Sequence, residues 1–387
     1  MLSLTSLSIA HPTVPSARRA ELSLPGRLLN RAHERLEAKN LNAFLLSTCL
    51  RIEIAWLGGS ETLGEHLGAI YGDDTLPQGG AVRTGEAAFC HLCRVAAGLD
   101  SPFIGEPEVL IQFRQAVSVW REASVAANGL GRALEAAVAV ARSTRRRLGD
   151  APRGSLASVA AGIVAPHGSV AILGGGAMAR AAVEHLDGVD TTVFARRDSE
   201  VGGTTPRPWD QAAEALATYP AVIAAVPGKE GVFTQEQIAG SLGKRSEPLL
   251  LIDLGMPPAF NRRDIDDTVQ YIGVDDLAAA AKERSPLTAD GDIDDEAGVV
   301  WARLSVPGRA GQLIAAILEQ AETAVTEEVK RESHRLIDAD DAERVLRRLA
   351  HRVVRRVLHP PISFIGSAEH GEDTVAALAE AFGVEDG

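Results

Sequence analysis

The spacing of apolar residues over the first 150 positions predicts one buried strand followed by three helices. The short run 43–46 is continuously apolar, as expected of a strand inside a domain. Helical spacing follows over 84–98, from Glu106 onward, and over about 130–148. The apolar positions that define the first two helix faces are Phe89, Leu92, Val95, Leu110, Phe113, Val117 and Trp120. Residues 1–150 are therefore predicted to form an α+β domain.

Residues that start and stop helices stand at the expected ends of these segments. Thr84 suits the N-cap of the first helix, and Gly98 suits its C-terminal stop. Pro107 fits the first turn of the second helix, where its missing N–H costs nothing. The glycine-bearing stretch 149–154 follows the third helix and is typical of a domain boundary.

Residues 151–280 have a different pattern, in which short apolar runs alternate with helical segments. Strands are predicted at 169–173, 191–195, 221–226 and 249–254. A helix opens after the first of them and runs to about Leu186. Strands that alternate with helices predict a doubly wound parallel sheet of the Rossmann type.

The last part of the chain, 281–387, is predicted to be helical. An acidic stretch (288–298) is interpreted as a linker. Beyond it, two sets of apolar residues recur at helical spacing before Pro360 and Pro361 stop the second helix: Leu313, Ile317, Leu318, Ala321, Val325 and Val329, then Leu346, Leu349, Val353 and Val357. Two long amphipathic helices bury little by themselves, so we expect them to pack on a second copy in a symmetric homodimer.

Composition and charge narrow the function classes. The 387 residues carry a net charge of −13, which argues against a general nucleic-acid binder. Two arginine clusters could still contact phosphate locally or form solvated helix faces: Arg142, Arg145, Arg146, Arg147 and Arg153, then Arg344, Arg347, Arg348, Arg352, Arg355 and Arg356. Three cysteines, the lack of a signal-peptide pattern and the lack of a long apolar run predict a cytoplasmic protein without a membrane span.

Cys49 is the first candidate for chemistry. It follows the predicted strand 43–46 after Ser47 and Thr48, and it stands two residues before Arg51. A thiol is nucleophilic only as its thiolate, and a nearby positive charge lowers the thiol pKa. The alternative is a small apolar residue that fills the core, which is a common place for a free cysteine.

The run Cys90-His91-Leu92-Cys93 invites a metal or redox interpretation, and the pattern supports neither. A closed zinc site needs four ligands, and no second pair follows at a suitable spacing. A redox dithiol is expected at a helix start, whereas this pair lies in the middle of a predicted helix. We therefore predict no metal site, and His91 either faces a reaction site or packs in the core.

The segment after strand 169–173 predicts a dinucleotide site. Gly174, Gly176 and Ala179 match the Gly-x-Gly-x-x-Gly/Ala fingerprint, whose loop places a pyrophosphate on a helix N-terminus. The full predicted loop is Gly174, Gly175, Gly176, Ala177, Met178 and Ala179. Strand 191–195 is followed by Arg196 and Arg197, where NAD-binding units carry Asp or Glu, so the predicted cofactor is NADPH. A Rossmann-like fold without a nucleotide is the alternative.

Taken in order, these motifs resemble the glutamyl-tRNA reductase family over nearly the whole chain. The matching stretches are 8–15, 47–53, 91–101, 105–112, 174–179, 252–257, 275–277 and 358–361. The resemblance implies an α+β catalytic domain (1–150), an α/β Rossmann NADP-binding domain (151–280) and an all-α helical dimerisation domain (281–387). It also implies three domains set along a long helix that cradle a tRNA.

The resemblance assigns roles by matching position. Cys49 becomes the nucleophile and His91 a catalytic residue. The implied substrate-binding residues are Thr48, Leu50, Arg51, Ser101, Glu106, Pro107, Glu108 and Gln112. The implied reaction is NADPH-dependent reduction of glutamyl-tRNA(Glu) to glutamate-1-semialdehyde through a Cys49 thioester, the first step of the C5 route to 5-aminolevulinate and tetrapyrroles. Glutamate-1-semialdehyde aminomutase is the implied partner that receives the product.

Three positions depart from the family's pattern. Leu50 stands where Asn is usual, Glu108 stands where Gln is usual, and Ala195 replaces an Asn before Arg196. Two other functions therefore remain open: a reductase-like protein with impaired catalysis that binds tRNA or acts as a scaffold, and another NADP-dependent dehydrogenase of the shikimate dehydrogenase kind.

Overall fold

The computed structural model describes residues 2–123, 129–148, 154–197, 199–226, 232–265, 267–284 and 292–305, with scattered positions between 324 and 357. Residues 2–301 form one compact unit, and the chain from Ala302 onward belongs to a second. Everything that concerns the candidate site lies in the first unit.

The N-terminal part of the first unit is built on an antiparallel sheet. Its strands are β1 (Leu4–Ala10), β2 (Phe44–Ser47), β3 (Arg51–Leu57) and β4 (Ala81–Thr84), in the order β2-β3-β1-β4. The helices are α1 (Ser16–Leu22), α2 (Arg27–Ala38), α3 (Leu63–Tyr71), α4 (Gly85–Ala97), α5 (Pro107–Ala123) and α6 (Gly129–Leu148). The three helices predicted from apolar spacing are α4, α5 and α6, and Thr84 and Gly98 are the caps of α4.

The alternation of side chains along β3 determines which residues can form a site. Ile52, Ile54 and Trp56 point into an apolar core that they share with residues of α2 and α3. Because successive side chains of a strand point to opposite faces, Arg51 and Glu53 lie on the other face. Helix α4 packs against β1 of the same sheet. A charged pair is thereby buried on the sheet face opposite the apolar core.

The next part of the chain is a parallel sheet with helices. Strands β5 (Ser169–Leu173), β6 (Asp190–Ala195), β7 (Arg207–Pro208), β8 (Ala221–Ala224), β9 (Leu249–Asp253) and β10 (Val269–Gly273) pair in the order β10-β9-β8-β5-β6-β7. The helices are α7 (Leu156–Val164), α8 (Ala177–Glu184), α9 (Ala212–Thr218), α10 (Gln235–Leu242) and α11 (Val274–Arg284). This order reverses between β5 and β8, as in doubly wound dinucleotide-binding folds, and it confirms the predicted Rossmann topology.

The interpretation of 288–298 as a linker is wrong for the part that the structure describes. Helix α12 runs over Asp292–Ser305. Ile293, Ala297 and Trp301 recur at intervals of four and are buried, and the Trp301 ring stacks on Phe89 with centroids 5.7 Å apart. Acidic side chains near the start of α12 suit the positive end of its dipole. The acidic composition of this segment is therefore compatible with an amphipathic helix.

The predicted C-terminal helices fall mostly outside the described residues. Leu313, Ile317, Leu318, Ala321, Leu346, Pro360 and Pro361 are among the positions outside. Val325, Val329, Leu349, Val353 and Val357 are described, and all five are helical. No helix within the described ranges is both long enough and apolar enough to cross a bilayer.

Candidate active site

Cys49 lies in the tight turn that joins β2 to β3. The turn is closed by the Thr48 N–H, which donates to the Arg51 carbonyl oxygen at 2.8 Å. The adjacent Leu50 is 6% exposed and belongs to an apolar cluster that includes Leu156 of α7 and other residues of the parallel-sheet domain. The half-buried Cys49 packs against the same cluster. The candidate nucleophile is thus held on a rigid hairpin that contacts the second domain.

The surroundings of Cys49 favour the neutral thiol. Burial raises the pKa of the thiol, the negative charge of Glu106 raises it further, and together they bring it to about 12. The guanidinium of Arg19 acts in the opposite direction but does not outweigh them. In this arrangement the sulfur therefore keeps its proton at neutral pH, and attack on a carbonyl requires a change that lowers the pKa of the thiol.

Four side chains on the polar face of the antiparallel sheet meet at a buried carboxylate, and we call them the Glu53 cluster (Ser8, Arg51, Glu53 and His91). Ser8 Oγ and Arg51 Nη1 donate to Glu53 Oε1 at 2.9 and 3.2 Å. His91 Nε2 lies 2.9 Å from Glu53 Oε2. Glu53 is fully buried, so its carboxylate depends on these three partners for hydrogen bonds and on Arg51 for an opposite charge.

His91 is engaged at both ring nitrogens. Besides Glu53, it contacts Asp100 Oδ2 through Nδ1 at 3.3 Å. Burial by itself would lower the pKa of His91, but the two carboxylates outweigh it and raise that pKa above its ordinary value. Because both ring nitrogens face carboxylates, neither is directed at Cys49 or at a carbonyl, and His91 holds Glu53 and Asp100 together.

Asp100 completes the same network from the loop after α4. Its Oδ1 accepts from Arg94 Nε at 2.9 Å, and its backbone oxygen accepts from Arg51 Nη2. Burial would raise the pKa of the Asp100 carboxyl, but the hydrogen bond from His91 and the charge of Arg94 hold it at about 2. Arg51, which the family resemblance assigns to substrate binding, therefore already directs two nitrogens to protein acceptors.

The remaining predicted substrate residues lie in the loop between α4 and α5 and on α5. Ser101 is buried, and its Oγ accepts from the Phe103 N–H at 3.3 Å. Glu106 is buried and immediately precedes α5, which begins at Pro107. Glu108 Oε2 is buried without a hydrogen-bond partner. Partly buried Gln112 follows one turn later on α5.

Glu106 and Glu108 form an acidic pair close to the nucleophile. Glu106 is 5% exposed, and burial together with the charge of Glu108 raises its pKa to about 8. Two interacting carboxylates, one of which has a buried oxygen without a hydrogen-bond partner, suit a cationic group from outside the chain.

We expect the acidic pair to make the protein less stable as the pH rises. Glu106 has a higher pKa in the folded chain than in the unfolded one, so its stabilising proton is present below the unfolded pKa and is lost as the pH rises through about 8. Glu106→Gln, which keeps the shape without the charge, should flatten the fall in urea midpoint between pH 5 and 9. Glu108→Gln should have a smaller effect of the same sign. An unchanged slope in Glu106→Gln would contradict the raised pKa.

The predicted glycine loop has the geometry that a dinucleotide needs. Gly174 has a φ of 129°, and a Cβ there would lie 2.6 Å from the Ala225 carbonyl oxygen, so only glycine fits. Gly176 is the N-cap of α8 and has open space where a Cβ would point. Ala179 is fully buried where α8 packs on the sheet. Backbone N–H groups at this helix start are accessible to a pyrophosphate, and Gly175, Ala177 and Met178 complete the loop.

Arg196 and Arg197 follow β6 at the same edge of the sheet, and both are exposed. The Arg196 guanidinium lies 5.5 Å from the centre of the Trp209 ring. An arginine stacked on an indole keeps its N–H edge free to pair with a phosphate group. The position agrees with the predicted contact to a 2′-phosphate.

A cavity of about 610 Å³ opens at the carboxyl ends of β9 and β10, and Ser16 of α1 borders it from the other domain. Asp253 lines it, accepting from Gly255 N, Phe260 N and Tyr271 Oη at 2.9, 3.0 and 3.1 Å. Burial raises the pKa of this carboxyl to about 6 despite the three donors. Ligands of doubly wound sheets bind outside this edge.

Two arginines of the first cluster form hydrogen bonds or ion pairs within the protein. Arg145 Nη1 donates to the carbonyl oxygens of Gly105 and Glu106 at 2.9 Å each, and Arg147 pairs with Glu296 at 2.7 Å. Contact of this cluster with tRNA stays a prediction. The second cluster lies mostly outside the described residues.

Sequence reasoning did not select four charged residues that the structure places around the predicted site: Arg19, Glu53, Asp100 and Asp275. Glu53 had a local signal, since it stands two positions after Arg51 in a strand and so shares its face. The partners of the others are set by the tertiary fold.

Comparison with known proteins agrees with this geometry. Residues 7–148 match the family model of the glutamyl-tRNAGlu reductase N-terminal domain, 164–280 match shikimate/quinate 5-dehydrogenase, and 308–384 match the glutamyl-tRNAGlu reductase dimerisation domain. The middle domain is thus a nicotinamide dinucleotide-binding domain, and a dimerisation domain is present.

Individual relatives match over most of their length. Glutamyl-tRNA reductase 2 of Anaeromyxobacter sp. is 32% identical over 371 residues, which cover 87% of this chain and 86% of that protein. The glutamyl-tRNA reductase of Roseiflexus castenholzii is 26% identical over 99% of this chain and 97% of its own. The solved glutamyl-tRNA reductase from Methanopyrus kandleri is 21% identical, with a TM-score of 0.38 over 98% of this chain and 97% of that one. The chain belongs to the glutamyl-tRNA reductase family.

Proposed function

We propose that this protein reduces glutamate esterified to tRNA(Glu) to glutamate-1-semialdehyde, with NADPH as the reductant, in the first step of tetrapyrrole synthesis. The observation that supports this most is the position of the Cys49 turn. The negative charge of Glu106 acts on Cys49, and the adjacent Leu50 packs on the dinucleotide-binding domain. A nucleophile between a substrate-binding region and a hydride source suits transfer of an acyl group followed by reduction.

The first half-reaction is acyl transfer to sulfur. The Cys49 thiol loses its proton and the thiolate attacks the ester carbonyl. The carbon–oxygen bond to the tRNA ribose then breaks, and the ribose oxygen leaves with a proton. The product is a glutamyl thioester on Cys49 and free tRNA. This divides one difficult reduction into two easier steps, because a thiolate leaves more readily than a ribose oxygen.

Glu106 and Glu108 supply a way to activate the thiol only when substrate is bound. The α-ammonium group of the glutamyl residue is the cation that suits this pair. The positive charge of a bound ammonium would lower the pKa of Cys49, in the direction opposite to burial. The N–H groups of Arg51 that are not directed at Glu53 and Asp100 are available for the substrate side-chain carboxylate.

The second half-reaction takes place at the cofactor domain. Bound NADPH supplies the hydride that releases the acyl group from sulfur as an aldehyde. The loop 174–179 would hold its pyrophosphate, and Arg196 with Arg197 would bind the 2′-phosphate that distinguishes it from NADH. The Cys49 thiolate regains a proton, and the enzyme returns to its starting form.

The three segments divide these tasks. Residues 1–150 form the catalytic domain, 151–280 bind NADPH, and 281–387 join two copies in a homodimer. Glutamate-1-semialdehyde carries a free amine and an aldehyde, which react with each other, so direct transfer to the aminomutase would protect it. The reaction belongs in the cytoplasm, where tRNA is charged and where Cys49, Cys90 and Cys93 stay reduced.

The proposed function is tested by incubating the pure protein with glutamyl-tRNA and either NADPH or NADH. We expect semialdehyde with NADPH, and at least about tenfold less with NADH because the arginine–phosphate pairs are missing. Free glutamate should not react. Equal rates with the two cofactors would contradict the role of Arg196 and Arg197. Binding of tRNA without turnover would instead support the scaffold function.

A further inference from the structure

One buried arginine connects the turn that carries Cys49 to the dinucleotide-binding domain. Arg19 of α1 is 1% exposed. Its Nη1 donates to the Val14 carbonyl oxygen at 2.5 Å, and its Nη2 lies 3.3 Å from the Cys49 carbonyl oxygen. The same Nη2 lies 2.7 Å from Asp275 Oδ1. A single guanidinium thus touches the backbone of the candidate nucleophile and a carboxylate of the other domain.

Asp275 stands at the start of α11 and receives three donors from the catalytic domain. Besides Arg19, the Ser16 N–H donates to Oδ2 at 2.8 Å, and His11 Nδ1 lies 3.3 Å from Oδ1. Burial would raise the pKa of this carboxyl, but these partners hold it well below its usual range. The carboxylate therefore stays ionised, and the contact persists across neutral pH.

The cost of burying the Arg19 charge favours a stable ion pair between Arg19 and Asp275. A buried guanidinium is stable only while acceptors surround it, and its carbonyl partners carry no net charge. Separating Asp275 from Arg19 would leave a buried cation without its counter-ion. Leu50 and Phe103 share an apolar cluster with residues of α7, and this cluster also holds the two domains together.

We infer that Arg19 is a positioning residue that fixes the backbone of the Cys49 turn and, through Asp275, holds that turn against the dinucleotide-binding domain. The effect of this contact on catalysis rests on the proposed function. Acyl transfer needs only the catalytic domain, whereas reduction of the thioester needs both domains in contact. The Arg19–Asp275 pair should therefore matter more for the second half-reaction than for the first.

The holding role is tested on the protein alone, by hydrogen exchange of its backbone amides. In Asp275→Ala, exchange of the peptides over 14–19 and 48–51 should rise about tenfold, the effect of losing one charge-assisted contact. The matched control is Asp276→Ala, the adjacent exposed carboxylate, whose Oδ2 accepts only from the Gly273 N–H among the contacts described. It should leave both peptides unchanged. No rise in Asp275→Ala, or an equal rise in strands β3 and β5, would overturn the inference.

The catalytic meaning is tested by separating the two half-reactions. Thioester formation from labelled glutamyl-tRNA is measured without NADPH, and NADPH is then added to measure the reduction. In Asp275→Ala the rate of reduction should fall about tenfold more than the rate of acylation. An equal fall in the rates of acylation and reduction would contradict the role of the Arg19–Asp275 pair in the second half-reaction. If wild-type protein forms no thioester, the proposed function fails, and the exchange experiment still decides whether the pair holds the turn.

Discussion

Cys49→Ala should abolish formation of semialdehyde, with a loss on the order of 10⁴-fold or more, as found when a covalent nucleophile is removed. The side chain is small and lies in a turn that is closed by backbone hydrogen bonds, so alanine should leave the fold intact. Labelled glutamate from glutamyl-tRNA should stay bound to wild-type protein after denaturation and should be absent from the variant. Binding of tRNA should remain in both.

Cys90 provides the matched control, because Cys90→Ala removes a half-buried thiol of similar environment. Cys90 lies on α4, and its Sγ is 4.0 Å from the carbonyl oxygen of Asp294 on α12. We expect its activity to stay within about twofold of wild type, as for a substitution away from the site. Substantial activity in Cys49→Ala, or a loss in Cys90→Ala comparable to it, would exclude Cys49 as the sole nucleophile.

Local patterns in the sequence predicted some of the elements that carry the site, but not β1, β3 or α1. The helices α4 to α6 and four strands of the parallel sheet, β5, β6, β8 and β9, follow from spacing and cap residues, which depend on neighbours along the chain. The position of Cys49 at the end of a buried strand also follows from the short apolar run before it. The glycine loop is local in the same sense, since a tight turn restricts which residues fit.

The charged contacts could not be predicted in the same way, because their partners are far apart in the chain. Glu53 and His91 are separated by 38 positions, and Arg19 and Asp275 by 256. The sequence identifies a carboxylate or a guanidinium but not which one it will meet. His91 illustrates the consequence, since a residue to which the family resemblance assigns a catalytic role has both ring nitrogens facing carboxylates.

The surroundings of Leu50 change the interpretation of this departure from the family's pattern. Leu50 departs from the family's usual Asn, which raised the possibility of impaired catalysis. In the structure it is buried among apolar residues of both domains, including Phe103 and Leu156. An amide there would need hydrogen-bond partners in an apolar cluster, whereas leucine gains from burial. The departure therefore fits the contact between the domains and does not by itself indicate loss of function.

Glu53→Ala should lower the free energy of unfolding by about 3–5 kcal/mol, the cost of breaking a buried ion pair from one side. The substitution leaves Arg51 and His91 buried without their shared carboxylate, and Ser8 loses its acceptor. Urea denaturation measures the change. Glu37→Ala, which removes an exposed carboxylate from α2, should stay within about 0.5 kcal/mol of wild type. A loss in Glu53→Ala no larger than in this control would exclude Glu53 as the centre of the cluster.

The loss in Glu53→Ala should also depend on pH, because part of it comes from His91. The folded-state pKa of His91 is raised, so its contribution to stability is fully present below the unfolded pKa and is lost as the pH rises through the folded value. Removing Glu53 takes away the larger of the two carboxylate effects that raise it. The difference in unfolding free energy between wild type and Glu53→Ala should therefore be larger at pH 6 than at pH 9. The part due to Arg51 persists at both, since a guanidinium keeps its charge. An equal difference at the two pH values would mean that His91 is neutral beside Glu53, and its imidazole would then be free to exchange a proton with the substrate.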